Sequence, residues 1–269
     1  MEWWKAVILG IVEGVTEYLP VSSTGHLILA QRAMGLEGEA ANAYAICIQA
    51  GAIAAVLGLY HRRVRQGFAG IAGRDPAGRQ LAINLIVAFV PAAVIGLLFD
   101  DRIEALLFGL WPIVTAWFIG GVAIIAWTRL GRPGTLPLEG LGWRSALAIG
   151  LIQCLAMWPG TSRSLVTIIG GVGMGLALPA AVEFSFLLGL VTLTASTAYA
   201  GLKHSDVLLA DIGVGPIFIG FITAAFAASA AVRWMVGWLQ SRGMMVFAIW
   251  RIGLAIVVAA LLLTGHLES

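Results

Sequence analysis

Charge is what this chain has least of. Of its 269 residues 11% are charged, under half the roughly 25% of an ordinary soluble domain. The hydrophobic share is 60%, which excludes a soluble enzyme. Neither sign dominates: 16 Lys and Arg stand against 14 Asp and Glu, a net +2. There is thus no basic face for nucleic acid and no charged tail, and nucleic acid is not an expected partner. Cysteine is nearly absent. Cys47 and Cys154 sit in apolar runs and are read as small buried hydrophobes, not ligands or a disulfide. No cleaved leader is expected at the start: Lys5 precedes apolar residues, but Glu13 and Glu17 interrupt them and no small-residue cleavage site follows, so this segment is read as mature protein.

Long apolar runs, by contrast, are plentiful. A spanning helix needs about 20 mostly apolar residues. Five segments meet that length: Ala41 to Tyr60, Leu81 to Phe99, Trp111 to Thr128, Val214 to Val232, and Met244 to Thr264 with the single charge Arg251. Pro179 to Leu202 is a sixth, containing Glu183. Two further stretches, Trp3 to Met34 and Trp143 to Gly175, are apolar at both ends and broken in the middle by EGVTEYLPVSSTGHL and QCLAMWPGTSRSLVT. Irregular backbone survives at membrane depth only where protein or water satisfies it, so each is read as a re-entrant pair of half-helices. The expected fold is an all-α integral membrane protein of six transmembrane helices plus two re-entrant pairs, a single membrane domain over 1–269.

The order is broken segment, three spans, broken segment, three spans. Pro20 precedes Ser22-Ser23-Thr24, and Pro159 precedes Thr161-Ser162-Arg163-Ser164, roughly 140 residues later. An odd number of spans per half reverses direction, so halves 1–135 and 136–269 are expected as an inverted-topology repeat, with both broken helices near the bilayer midplane. Placing the N-terminus outside puts Arg62, Arg63, Arg65, Arg74, Arg79, Arg129, Arg132, Arg144 and Arg242 inside. Lys5, Arg32, Arg102 and Lys203 stay outside with Asp100, Asp101, Glu104, Asp206 and Asp211. Nine inner cations against four outer ones favour N-out and C-out.

Glu13, Glu17, Arg163 and Glu183 fall at membrane depth, where each unpaired charge costs roughly 2.5 to 3.5 kcal/mol. Such charges imply pairing or function. Glu13 and Glu17 are one helical turn apart, with Gly10 and Gly14 allowing close backbone approach; they form an acid/base pair or a metal seat. Ser22, Ser23, Thr24 and Gly25 follow the Pro20 stop at a new helix start, a place that binds anions and also an ordinary cap. His26 on that first turn is placed to exchange a proton with hydroxyls or a phosphate oxygen. Arg163 offers a planar fork for phosphate oxygens, flanked by Ser162, Ser164 and Thr167; alternatively it neutralises Glu13 or Glu17. Glu183 reads either as a third site carboxylate or as a partner for Arg251. Gln49 and Gln153 read as interhelical hydrogen bonders, and Trp3, Trp4, Trp111, Trp143, Trp234 and Trp238 as interface anchors.

The segments at 13 to 27 and 159 to 167 (PGTSRSLVT), with IQAG at 48 to 51 and EFSFLL at 183 to 188, resemble the integral-membrane undecaprenyl-diphosphate phosphatases, the bacitracin-resistance proteins. The resemblance runs along nearly the whole chain. Leu165 departs from it, since the family pattern usually has Gly after Ser-Arg-Ser. The resemblance implies hydrolysis of undecaprenyl diphosphate to the monophosphate and inorganic phosphate. It thereby implies recycling of the cell-wall lipid carrier and bacitracin resistance, in the bacterial cytoplasmic (inner) membrane with a site open to the periplasm. It implies a divalent cation, Mg or Ca, expected on Glu13 and Glu17. Glu13, Glu17, Ser23, His26 and Arg163 are the expected catalytic residues; Ser22, Thr24, Ser162, Ser164 and Thr167 are expected to bind substrate. Ser23, His26 or a metal-bound water remain open as nucleophile. Membrane lipids and a second copy of the chain, as a homodimer, are further expected partners. The competing function is a lipid-phosphate flippase or a secondary anion transporter, which would use the same carboxylates as a proton relay.

Overall fold

The computed structural model describes residues 1–131 and 134–267, without the side chains at 100, 101, 104 and 105. Arg132 and the acids Asp100, Asp101 and Glu104 of the charge comparison therefore lie outside the described residues. In chain order the helices are α1 (Trp3–Thr16), α2 (Ser23–Ala33), α3 (Glu39–Leu59), α4 (His61–Ile71), α5 (Pro76–Leu107), α6 (Leu110–Leu130), α7 (Trp143–Gln153), α8 (Arg163–Gly173), α9 (Leu178–Lys203), α10 (Ser205–Val207), α11 (Val214–Arg242) and α12 (Met245–Leu263). Six of them are long and apolar enough to cross a membrane: α3, the Pro76–Phe99 part of α5, α6, α9, α11 and α12. The protein is a multi-pass membrane protein. These are the six spans read from the sequence, and both broken segments are helix pairs as expected.

The differences lie where helices leave the apolar run. α5 continues to Leu107 and α11 to Arg242, because a helix that has crossed the apolar layer keeps its backbone bonds in water while its side chains turn polar. The loop after α3 holds the unforeseen α4, whose exposed Arg62 and Arg65 lie beside exposed Phe68 and Ile71. It is too short and too basic for a hydropathy window to reveal.

α1 packs along α11 while α7 packs along α5, and α3 meets α9 as α6 meets α12. Each half's broken pair leans on the corresponding span of the other half, consistent with the inverted repeat. Gly10 and Gly14 lie where α1 crosses α11: a Cβ at either would collide with the Gly220 or Ala224 carbonyl, so small residues set the helix separation. The loops sort into two ends. Met1 reaches the Ile212 carbonyl at 3.3 Å and His204 Nδ1 lies 2.7 Å from Glu39. At the other end Arg63 bonds Glu139, and Leu136 bridges Leu176.

Two buried or half-buried charges take partners the sequence reading did not foresee. Glu183 is neither a site carboxylate nor a partner of Arg251. Its Oε1 accepts from Arg63 Nε at 2.8 Å, and Arg63 also donates to Glu139 at 2.8 Å and Gln66 at 2.9 Å. These carboxylates hold the Arg63 guanidinium above its ordinary range, and together they clamp α4 and the inter-half linker onto α9. Arg251 is fully buried and donates to four carbonyls: Ala116 and Gly160 at 2.8 Å, Trp117 and Pro20 at 3.3 Å. One side chain thereby ties both breaks to α6. Arg251→Met should cost about 3 kcal/mol or more, because four buried acceptors lose their donor. Thermal unfolding in detergent should show that loss, and an unchanged midpoint would contradict it.

Candidate active site

Pro20 has no amide proton and stops α1; the chain then turns through Ser22 at φ 72° and starts α2 at Ser23. The second break does the same at Ser162, φ 74°. A left-handed serine is uncommon and concentrates at functional turns; two in corresponding places mark the breaks as built features. Ser164 Oγ donates to the Leu19 carbonyl at 2.9 Å, so the two turns are latched to each other. Ser162 Oγ accepts from Leu165 N at 3.3 Å, capping α8.

This juxtaposition assembles the chemistry. Ser23 Oγ donates to Glu17 Oε2 at 2.5 Å, while the other oxygen, Oε1, accepts from Arg163 Nη2 at 3.2 Å. Arg163 Nη1 donates to the Ser185 carbonyl at 3.1 Å, its guanidinium carbon lies 5.6 Å from the Tyr18 ring centre, and Nε is buried without a partner. A serine hydroxyl on a carboxylate, with a cation on the other oxygen, is the arrangement of a nucleophile, its base and an electrostatic clamp. Glu17, Ser23 and Arg163 line a cavity of about 180 Å³ together with Ser22, Thr24, Ser162, Gln49, Gln153, Thr192 and apolar Ala156, Met157 and Leu193. Gln49 stands ten residues into α3, about 15 Å along it at the α-helical rise. That is near the middle of a bilayer core of about 30 Å.

Glu13 lies one turn before Glu17 and is fully buried, and neither of its carboxylate oxygens has a protein partner. An orphaned buried carboxylate next to a second one is a donor set suited to a hard cation. No group of three or more His, Cys, Asp or Glu gathers among the described residues. The protein thus offers a carboxylate pair whose remaining ligands would have to be hydroxyl, carbonyl, water or phosphate oxygens.

Three residues expected at the substrate are held elsewhere. His26 is absent from the cavity lining. Its Nδ1 sits 2.7 Å from the Ser22 carbonyl and its Nε2 accepts from Trp250 Nε1 at 3.0 Å, with the rings stacked at 6.0 Å. With one nitrogen on the Ser22 carbonyl and the other on the Trp250 indole, His26 braces the Ser22 turn in this structure. Ser164 is spent on the latch. Thr167 Oγ1 is fully buried, bonding Ser185 Oγ at 2.7 Å and the Arg163 carbonyl at 2.8 Å, so it positions α8 against α9. Conversely Gln49 and Gln153, read as interhelical hydrogen bonders, line the cavity.

The model of the bacitracin resistance protein BacA family matches residues 6–257. The chain belongs to this family. Among curated relatives, undecaprenyl-diphosphatase 1 of Chromobacterium violaceum is 43% identical over 95% of this chain and 94% of its own. Undecaprenyl-diphosphatase 2 of Rhodospirillum rubrum is 43% identical over 97% and 95%, and the undecaprenyl-diphosphatase of Nitrosospira multiformis 41% over 100% and 99%.

In this BacA-family site a glycine makes room for the guanidinium clamp. A Cβ at Gly189 on α9 would fall on the Arg163 guanidinium. Gly189→Ala should therefore displace the clamp while the fold survives, lowering turnover about tenfold to a hundredfold by a misplacement of about 1 Å. Steady-state kinetics beside a thermal melt would check it; unchanged kinetics would place Arg163 outside the chemistry.

Proposed function

We propose that this chain is an undecaprenyl-diphosphate phosphatase, hydrolysing the diphosphate to undecaprenyl phosphate and inorganic phosphate. This would recycle the lipid carrier for cell-wall synthesis and confer bacitracin resistance. The observation that carries it is Ser23 Oγ at 2.5 Å from Glu17, with Arg163 on the same carboxylate; the names of the relatives supply the substrate. A relay for transport has no need of a serine hydroxyl on its carboxylate.

In the reaction Ser23 Oγ attacks the terminal phosphorus and its proton passes to Glu17. The bond from phosphorus to the bridging oxygen breaks, that oxygen leaves in line, opposite Ser23, as the prenyl monophosphate anion, and Glu17 releases its proton to water. Water then attacks the phosphoserine, giving its proton to Glu17, which returns it to Ser23 Oγ as inorganic phosphate departs. Arg163, through Nε and its fork, neutralises the phosphate oxygens, the main source of rate in phosphoryl transfer. Ser22, Thr24 and Ser162 face the phosphates from the two turns. A divalent cation, Mg or Ca, would be held by Glu13 and Glu17 and would supply charge neutralisation at the phosphates.

The proposal includes the bacterial inner membrane, N-out and C-out with the cavity served from the periplasmic side. The cation excess on the loops around α4 supports that orientation. A homodimer is also proposed, testable by light scattering in detergent. The main test is phosphate release from a long-chain prenyl diphosphate by detergent-purified protein, with and without Mg or Ca. Cation-dependent release that Glu13→Gln weakens supports the whole reading. No release by folded protein across metals and lipids overturns it in favour of a flippase or anion carrier, to be sought in liposomes.

A further inference from the structure

Gln153 ends α7, only 2% exposed, and its Nε2 is buried with no partner. The other end of the amide, Oε1, accepts at 3.5 Å from Thr192 Oγ1, a hydroxyl that also donates to the Leu188 carbonyl at 2.9 Å. A buried amide left this free is costly unless something pairs with it. Gln153 lines the cavity on the wall opposite in chain origin to Ser23: it comes with Ala156, Met157, Thr192 and Leu193, and Gln49 joins them from α3. Ala156, Met157 and Leu193 make this lining apolar, and Leu151 and Leu155, on either side of Gln153 in the chain, are exposed. Apolar lining next to exposed leucines is the surface that suits a prenyl chain passing from the cavity to lipid. The phosphate attached to the chain must then lie beside Gln153, while the terminal phosphate lies at Ser23 and Arg163. Counting from the matched turns Ser22 and Ser162, Gln153 is also the counterpart of Glu13. One half thus places an acceptor pair at this position and the other half an amide able to donate.

Resting on the phosphatase reading above, we infer that Gln153, assisted by Gln49, binds the lipid-linked phosphate of the diphosphate and so selects a diphosphate over a single phosphate group. The amide turns its NH₂ onto that phosphate, and the Gln153 proton donors carry no part of the bond breaking.

Three variants and two inhibitors test this. In Gln153→Leu and in the isosteric Gln153→Glu, KM for prenyl diphosphate should rise about tenfold or more, the value of a hydrogen bond to a charged group. Gln49→Leu should give a smaller rise, and kcat should change far less in all three. Inhibition by prenyl monophosphate, which occupies the same subsite, should weaken in parallel with KM. Inhibition by orthophosphate, held at Ser23 and Arg163, should stay as in wild type. Unchanged KM in the Gln153 variants overturns the inference, as does equal weakening of both inhibitors, which would mean general distortion of the cavity. Wild-type protein that releases no phosphate overturns the phosphatase reading and this inference with it; active wild type with indifferent Gln153 variants overturns this inference alone.

Discussion

Ser23→Ala is expected to lower phosphate release by about a thousandfold or more, the scale on which losing a nucleophile acts, with KM little changed. The hydroxyl is already engaged by Glu17 at 2.5 Å, so it contributes less to holding substrate than to attacking it. Glu17→Gln keeps the volume and a hydrogen-bonding end but cannot take the proton, and a fall of similar size should follow. The double variant decides the matter. Residues acting as one unit are not additive, so Ser23→Ala/Glu17→Gln should be no slower than the worse single variant. If the two losses multiply, Ser23 and Glu17 act in separate steps. The nucleophile would then be sought in a water or in His26, whose ring nitrogens are held by Ser22 and Trp250 in this structure.

How much of this could be read from residues alone follows from which physical signals are local. Six spans declare themselves because hydropathy over about 20 residues is a property of a contiguous segment, and the two breaks because Pro20 and Pro159 interrupt such segments visibly. α4 does not, being short, basic and apolar on one side only. The site was legible to the level of its motifs: Glu17, Ser23 and Arg163 do converge. Which hydroxyl faces the cavity was not. Ser162 and Ser164 are two residues apart and chemically alike, and both reach the Leu19 carbonyl, at 3.5 Å and 2.9 Å, yet of the two it is Ser162 that lines the cavity. The left-handed turn at Ser162 rotates the helix start in a way that no spacing rule encodes. Glu183 found Arg63 rather than Arg251 for a similar reason: partners 120 residues apart are chosen by the packing of α4 on α9. Gln153 was underrated because an amide in an apolar helix has an ordinary use between helices, and its free end is visible only once its neighbours are known.

Arg163 carries the second large expectation, and here activity and stability should part. Removing one preorganised donor at a developing charge costs about a hundredfold to a thousandfold, so Arg163→Ala should lose at least that in turnover. Arg163→Lys should recover little. A single ammonium cannot donate to Glu17 and to the Ser185 carbonyl while also presenting a fork to phosphate, and all three directions are in use or on offer in this guanidinium. Stability follows different logic. Arg163→Ala leaves the Glu17 carboxylate buried without its cation, a loss of about 3 kcal/mol or more, visible as a lower melting temperature in detergent. Adding Glu17→Gln removes the stranded charge, so the double variant should regain much of the melting temperature and none of the activity. A pair that merely neutralised itself would instead let the double variant work, since neutral side chains would serve equally well. Guanidinium ion supplied from solution gives a further discrimination: it should partly restore turnover to Arg163→Ala, where the vacated space adjoins the cavity, and do nothing for Ser23→Ala.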